Sequence, residues 1–198
     1  MNRLIVIEFS TLDGVIEDPD GSAGTPGGGW AFRHGPETVA GDKFRLGPRM
    51  DTGTLLLGRR TWQLFAQLWP HRDDPFSAAM NKIPKVVASR KQLDLSAWSN
   101  STLLSGDLAE EVPRLRNRGD VIVAGSIDLV QALVHGDLVD EYRLLVFPTV
   151  LGAGRRLFGR GTPPADLRLL SMQQCGAAVL MRHERADQEH AQKGPRAS

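Results

Sequence analysis

The residues from Asp120 to Phe158, DVIVAGSIDLVQALVHGDLVDEYRLLVFPTVLGAGRRLF, restrict the fold more than any other part of the chain. Val121 to Val123 is a β-branched run without charge, which suits a strand covered on both faces. Gly125-Ser126 breaks it. Ile127, Val130, Leu133 and Val134 then recur at helical spacing, with Ser126 as the expected N-cap, Asp128 in the first turn and Gly136 at the end. Leu144 to Val146 is a second buried run, closed by Pro148, and Leu151 to Gly154 turns the chain into Arg155-Arg156-Leu157-Phe158. Strand, turn, helix and strand in this order predict a parallel α/β sheet.

A small-residue turn between a buried strand and a helix leaves free N–H groups that attract phosphate, although glycine there also serves close helix–sheet packing. The same junction occurs earlier. Thr54 to Leu57 reads as a buried strand, and Gly58-Arg59-Arg60-Thr61 leads it into a helix over Trp62 to Leu68 whose stripe of Trp62, Phe65, Ala66 and Trp69 reads as core. Here the backbone donors are joined by guanidinium groups, which bind phosphate as planar forks.

The chain opens with a strand at Leu4 to Ile7 and a turn at Asp13-Gly14. Glu17 to Trp30, EDPDGSAGTPGGGW, is too rich in Gly and Pro for regular structure and predicts a loop. Trp30 and Phe32 at its end are either a latch onto the core or a pocket wall. Pro36 at a first turn predicts a helix over Glu37 to Met50, weakened by Gly41 and Gly47. A short helix is expected over Pro75 to Lys82, a strand at Val86 to Ala88 ending in Ser89-Arg90, a strand at Thr102 to Leu104, and a helix from Asp107 to Arg118 that Pro113 should kink or break. Leu167 to Met172 and Val179 to Met181 read as closing strands, and residues 186–198 as a polar tail after a domain spanning 1–185.

Composition narrows the function. A 198-residue chain with net charge +1 carries no excess of cations for nucleic acid, and no run approaches the roughly 18 apolar residues of a membrane span. Met1 to Phe9 is too short for a signal segment, so a cytoplasmic protein is expected. The single cysteine, Cys175, reads as a core residue, and five scattered histidines make no metal site. Neither a Gly-x-Gly-x-x-Gly fingerprint nor a Walker loop is present.

Five short motifs stand in order: Asp13-Gly14, Gly58-Arg59-Arg60-Thr61, Ser89-Arg90, Gly125-Ser126 and Leu151 to Phe158. Over about residues 3 to 184 they resemble the dihydrofolate-reductase-like superfamily, in the branch related to the C-terminal reductase domain of the bacterial riboflavin biosynthesis protein. The resemblance implies a mainly parallel sheet of about eight strands, helices on both faces and antiparallel closing strands. It also implies an NADPH-dependent reductase of a small heteroaromatic or carbonyl-bearing substrate. A pyrimidinone reductase of riboflavin biosynthesis and a non-catalytic NADPH-binding module are the alternatives, and a homodimer is left open.

By the same resemblance the cofactor would be held by Phe9, Ile16, Gly58, Arg59, Arg60, Thr61, Ser89, Arg90, Gly125, Ser126, Ile127 and Leu129. Ser89 and Arg90 would lie over the 2′-phosphate, a dianion that a hydroxyl and a guanidinium suit. Trp30 and Phe32 would be on the substrate side. Asp42 would be the proton donor, against the plainer alternative of a charged residue on a solvated face. The Pro-x-Asp-Leu wording of the pterin enzymes' acid helix is absent, so the cofactor is better implied than dihydrofolate.

Overall fold

A computed structural model describes residues 1–186; the tail expected from 186 lies, from residue 187 on, outside them. The strands are β1 (Leu4–Thr11), β2 (Thr54–Gly58), β3 (Lys85–Ala88), β4 (Ser101–Leu103), β5 (Val121–Ala124), β6 (Glu141–Phe147), β7 (Leu167–Cys175) and β8 (Ala178–Arg185). They form one eight-stranded sheet in the order β4-β3-β2-β5-β1-β6-β8-β7. β1 to β6 are parallel, and β8 and β7 close the sheet antiparallel. The helices are α1 (Pro36–Val39), α2 (Arg49–Thr52), α3 (Arg59–Leu68), α4 (Pro75–Lys82), α5 (Leu108–Arg116) and α6 (Ile127–His135).

Alternation along the central strands builds a core on each face. Leu4, Val6, Leu56, Val121 and Val123 pack with Val112 and Leu115 of α5 and Val130 and Leu133 of α6. On the other face Ile5, Ile7, Leu55, Leu57 and Ile122 meet Trp62 and Ala66 of α3 and Met80 of α4. A third cluster joins Trp30 to Leu145, Phe147, Leu180 and Cys175. Both faces of the parallel strands are thus covered, which explains their unbroken apolar runs.

The helix expected over Glu37 to Met50 is instead two single turns, α1 and α2, joined by turns. Arg45 at φ 54 and Gly47 at φ 51 are left-handed, a conformation no right-handed helix can continue through. Arg143 fixes this segment from beneath. Its Nη1 donates to the carbonyls of Phe44 at 2.8 Å and Arg45 at 2.5 Å, while its Nε meets the buried Glu141 at 2.7 Å. Arg182 approaches Glu141 at 2.8 Å, so the pair is a network rather than an isolated buried charge.

Pro113 does not break α5, which runs unbroken from the Asp107 cap to Arg116. One turn loses its N–H donor, and the Pro113 carbonyl still accepts from Asn117 at 3.1 Å, which carries the helix on. The closing strands are longer than their apolar cores, because a tight turn at Cys175 to Ala178 lets the pairing run out to Leu167 and Arg185.

Candidate functional site

In a parallel sheet the strand ends that feed helices make a shelf of turns, and here the shelf centres on β2 and β5, which are adjacent. Gly58 ends β2 and Gly125-Ser126 follows β5. Ser126 Oγ accepts the Gly58 N–H at 2.8 Å and donates to Thr61 Oγ1 at 2.7 Å, so the two glycine turns are tied together. Gly125 has φ +57, and a Cβ there would stand 3.0 Å from Thr61 Cγ2, so both backbone conformation and close approach require glycine. Ser126 occupies the N-cap position at φ 60 and ψ 54 but makes no side-chain cap bond, contrary to the sequence expectation. Its hydroxyl is already committed to β2 and α3.

The consequence is electrostatic. α4 and α5 are closed by Asp74 and Asp107, which accept first-turn N–H groups. α3 and α6 have no side-chain cap. Their orphan donors, with the positive ends of two helix dipoles, converge on one place. Arg59, Arg60 and Arg90 add to it. Among the described residues none of the three pairs with a carboxylate, whereas Arg3, Arg49, Arg114, Arg116, Arg143, Arg155, Arg156, Arg168, Arg182 and Arg185 all do. Ser89, at the end of β3, bonds its own turn, donating to the Lys91 carbonyl at 2.7 Å.

The far side of the shelf, at the end of β1, is held by Asp13. Its carboxylate accepts from Thr11 Oγ1 at 2.7 Å and from the Gly152 N–H at 2.9 Å, and Arg156 lies 3.4 Å away. The Thr11 hydroxyl and the Gly152 and Leu151 N–H groups lower its pKa to about 2. Val15 bridges to Arg156, and Ile16 donates its N–H to the Arg155 carbonyl at 2.9 Å. The glycine-rich return thus seats Ile16 beside Leu129 and Leu157, over the end of the first core cluster.

The family model for the RibD C-terminal domain matches residues 3–181. The chain belongs to the RibD C-terminal domain family. It is 30% identical over 186 residues to the Bacillus subtilis protein YyaP, itself described as uncharacterized, covering 90% of this chain and 92% of that one. A candidate riboflavin biosynthesis protein from Shewanella sp. shares the fold at TM-score 0.72 and 21% identity, over 93% of this chain and 99% of that one. A pyrimidine reductase-like protein from Corynebacterium diphtheriae shares it at TM-score 0.62 and 12% identity, over 94% of this chain and 92% of that one.

In this RibD C-terminal domain the remaining sequence-marked residues fall in different settings. Phe9 stacks on Phe44 at 5.4 Å and meets Phe147 edge-on at 5.3 Å. Trp30 is fully buried, edge-on to Phe147, and its indole N–H donates to the Glu17 carbonyl at 2.8 Å. It therefore locks both ends of the glycine loop. Asp18 organises the interior of that loop, accepting the Ala23 and Thr25 N–H groups at 2.9 Å each. Phe32 is 56% exposed.

Asp42 lies on the turn between α1 and α2, where its two carboxylate oxygens accept the N–H groups of Leu46 at 2.9 Å and Gly47 at 2.8 Å. It borders a depression of about 490 Å³ lined by Met50, Asp51, Asp74 and Phe76, on the side of α2 and α4. Among the described residues, neither its hydrogen bonds nor the lining of that depression includes a residue of the Gly58 or Gly125 turn.

One group escaped the sequence reading. Glu8, in the middle of β1, is 5% exposed and its Oε1 has no hydrogen-bond partner among the described residues. Burial pushes its carboxyl well above the ordinary range. The available signal was a lone acid at an inward position of an otherwise apolar strand, Leu4 to Phe9.

Proposed function

We propose that this domain is an NADPH-dependent reductase that transfers hydride to a small heteroaromatic substrate, with a pyrimidinone as the favoured class. The observation behind the cofactor is the pair of uncapped helix N-termini on adjacent strands, tied by Ser126 and flanked by Arg59, Arg60 and Arg90, to which the described residues supply no acidic partner. Such a place suits a pyrophosphate and a phosphate monoester.

The residues fit the cofactor in order along the shelf. Arg90 and Ser89 at β3 would take the 2′-phosphate, and the first-turn N–H groups of Arg59 to Thr61 and of Ile127 to Leu129 would take the pyrophosphate. Gly125 and Ser126 let the backbone approach it closely. Ile16 and the backbone near Phe9 would then border the ring. The bound reduced nicotinamide supplies the hydride. The protein's part is orientation, and the turns held by Ser126 and by Asp13 are its means of giving it.

Family membership and the pyrimidine reductase-like relative of C. diphtheriae favour a pyrimidinone as acceptor. We assign Asp42 the role of holding the α1–α2 turn, on its two backbone acceptors. Trp30 is taken as the latch of the loop that borders the substrate, with Phe32 at its solvent side.

Titration of the purified protein with NADPH, read by nucleotide fluorescence at micromolar protein, tests the cofactor; absence of binding refutes the reading. Loss of NADPH absorbance with an aminopyrimidinone as acceptor tests the reaction. Binding without oxidation across a panel of pyrimidinones and carbonyl compounds would instead indicate a module that only binds the nucleotide.

A further inference from the structure

The shelf has an order that fixes which part of a bound dinucleotide meets which strand. β3, β2, β5 and β1 are consecutive neighbours, about 4.8 Å apart, so β1 stands roughly 14 Å from β3. With the monoester at Arg90 and the pyrophosphate on α3 and α6, the reacting ring falls at β1. This step rests on the cofactor reading above.

At β1 stands Glu8. It shares a face with Leu4 and Val6, is opposite Leu144 of β6, and lies one step beyond the Ile7–Ala124 pair, level with Gly125. That face is roofed by Ile16, Leu129, Val130 and Leu157. Ser10, the next residue on this side, spends its hydroxyl on the Thr11 carbonyl at 2.9 Å. Among the described residues no basic side chain forms an ion pair with Glu8, and its Oε1 has no hydrogen-bond partner. A buried oxygen without a partner weakens the fold unless a bound group completes it.

We propose that Glu8 is a positioning residue for the reacting ring, its uncharged carboxyl pairing with an amide of that ring. One carboxyl oxygen accepts the amide N–H, and the protonated oxygen donates to the amide carbonyl, which satisfies both groups in a single planar contact. A carboxylic acid is suited to this pairing and a carboxylate is not, and the apolar roof keeps the acid form. Two ligands of the proposed reaction carry such an amide. One is the carboxamide of the nicotinamide, and the other is the ring N–H and C=O of a pyrimidinone.

Three substitutions and three probes separate these cases. Glu8→Leu removes the orphan oxygen while keeping the volume, so the variant should melt at or above the wild-type temperature. It should bind 2′-phospho-ADP-ribose, which lacks nicotinamide, as the wild type does. Its affinity should fall about tenfold or more, the loss of a buried hydrogen-bonded pair, for one of two probes. A fall for NADP⁺ assigns the amide to the nicotinamide. A fall confined to uracil, titrated into protein saturated with NADP⁺, assigns it to the substrate. Glu8→Gln keeps one donor and one acceptor and should recover most of the loss, whereas Glu8→Asp, one methylene shorter, should not. A Glu8→Leu protein that binds all three probes like wild type overturns the proposal, and so does a Glu8→Gln protein no better than Glu8→Leu. If the wild type binds neither nucleotide, the cofactor reading itself fails and this assignment with it; if both bind and Glu8→Leu changes neither their ratio nor the affinity for uracil, the assignment of Glu8 alone fails.

Discussion

Ser126 accepts the backbone N–H of Gly58 at 2.8 Å across 68 positions of sequence, and so makes one unit of two strand–helix turns. The unit is bought with a strained backbone, since Ser126 is left-handed at φ 60. Ser126→Ala removes the hydroxyl and keeps the strain. Ser126→Gly removes both. Each should weaken NADPH binding, because each unties the turns. Alanine should destabilise the fold by about 1 to 2 kcal/mol and glycine by about 1 kcal/mol less than alanine. Urea unfolding of the two variants measures this order, and a glycine variant less stable than the alanine variant would refute it.

Arg90 is exposed at the end of β3 and pairs with no carboxylate among the described residues. If it faces the 2′-phosphate, Arg90→Ala should weaken NADPH binding by about 1 to 3 kcal/mol and leave NADH nearly unchanged. Equal losses for the two nucleotides would remove the arginine from the monoester. The same pair of titrations on Arg59→Ala and Arg60→Ala ranks those two, with a loss common to both nucleotides marking a pyrophosphate contact.

How far the sequence foretold this arrangement depends on how local each feature is. The strands at Leu4, Thr54 and Val121, the Asp107 cap and the stop at Gly136 are written in neighbouring residues, and they stand where expected. The uncapped state of α6 is not local. Ser126 is a good cap by composition, and only contact with Gly58 and Thr61, far away in sequence, diverts its hydroxyl. The helix expected over Glu37 to Met50 failed for a similar reason. Arg143, about 98 positions away, holds the carbonyls of Phe44 and Arg45 and favours turns over helix. Glu8 was illegible because a single acid in a strand gives no sign of whether a cation will meet it.

Asp13 offers a test by acid. Its pKa in the fold, about 2, lies below the ordinary 3.8, so the unfolded chain binds the proton more tightly than the folded one between these values. Its contribution to stability is therefore complete above about pH 4 and is lost as pH falls through 3.8 toward 2. Asp13→Asn lacks this dependence. The stability gap between wild type and variant, from urea midpoints, should shrink across that window; a gap that stays constant would show that the carboxylate's charge plays no part in holding the Leu151 to Arg156 return.

Asp42 distinguishes a turn cap from a proton donor. Both of its oxygens accept backbone N–H groups, from Leu46 at 2.9 Å and Gly47 at 2.8 Å, and these bonds span Arg45, which is left-handed at φ 54. Asparagine keeps one acceptor and turns an amide toward the other N–H. Asp42→Asn should therefore lower stability by about 1 to 2 kcal/mol, the usual cost of a broken hydrogen bond plus an unpaired donor. NADPH affinity should stay within about 0.5 kcal/mol, as for distant sites. Turnover per folded molecule should change little. The opposite pattern, full stability with turnover lost and NADPH binding intact, would identify Asp42 as the donor of the proton that accompanies the hydride, and would require the α1–α2 turn to close over the substrate in the reacting complex.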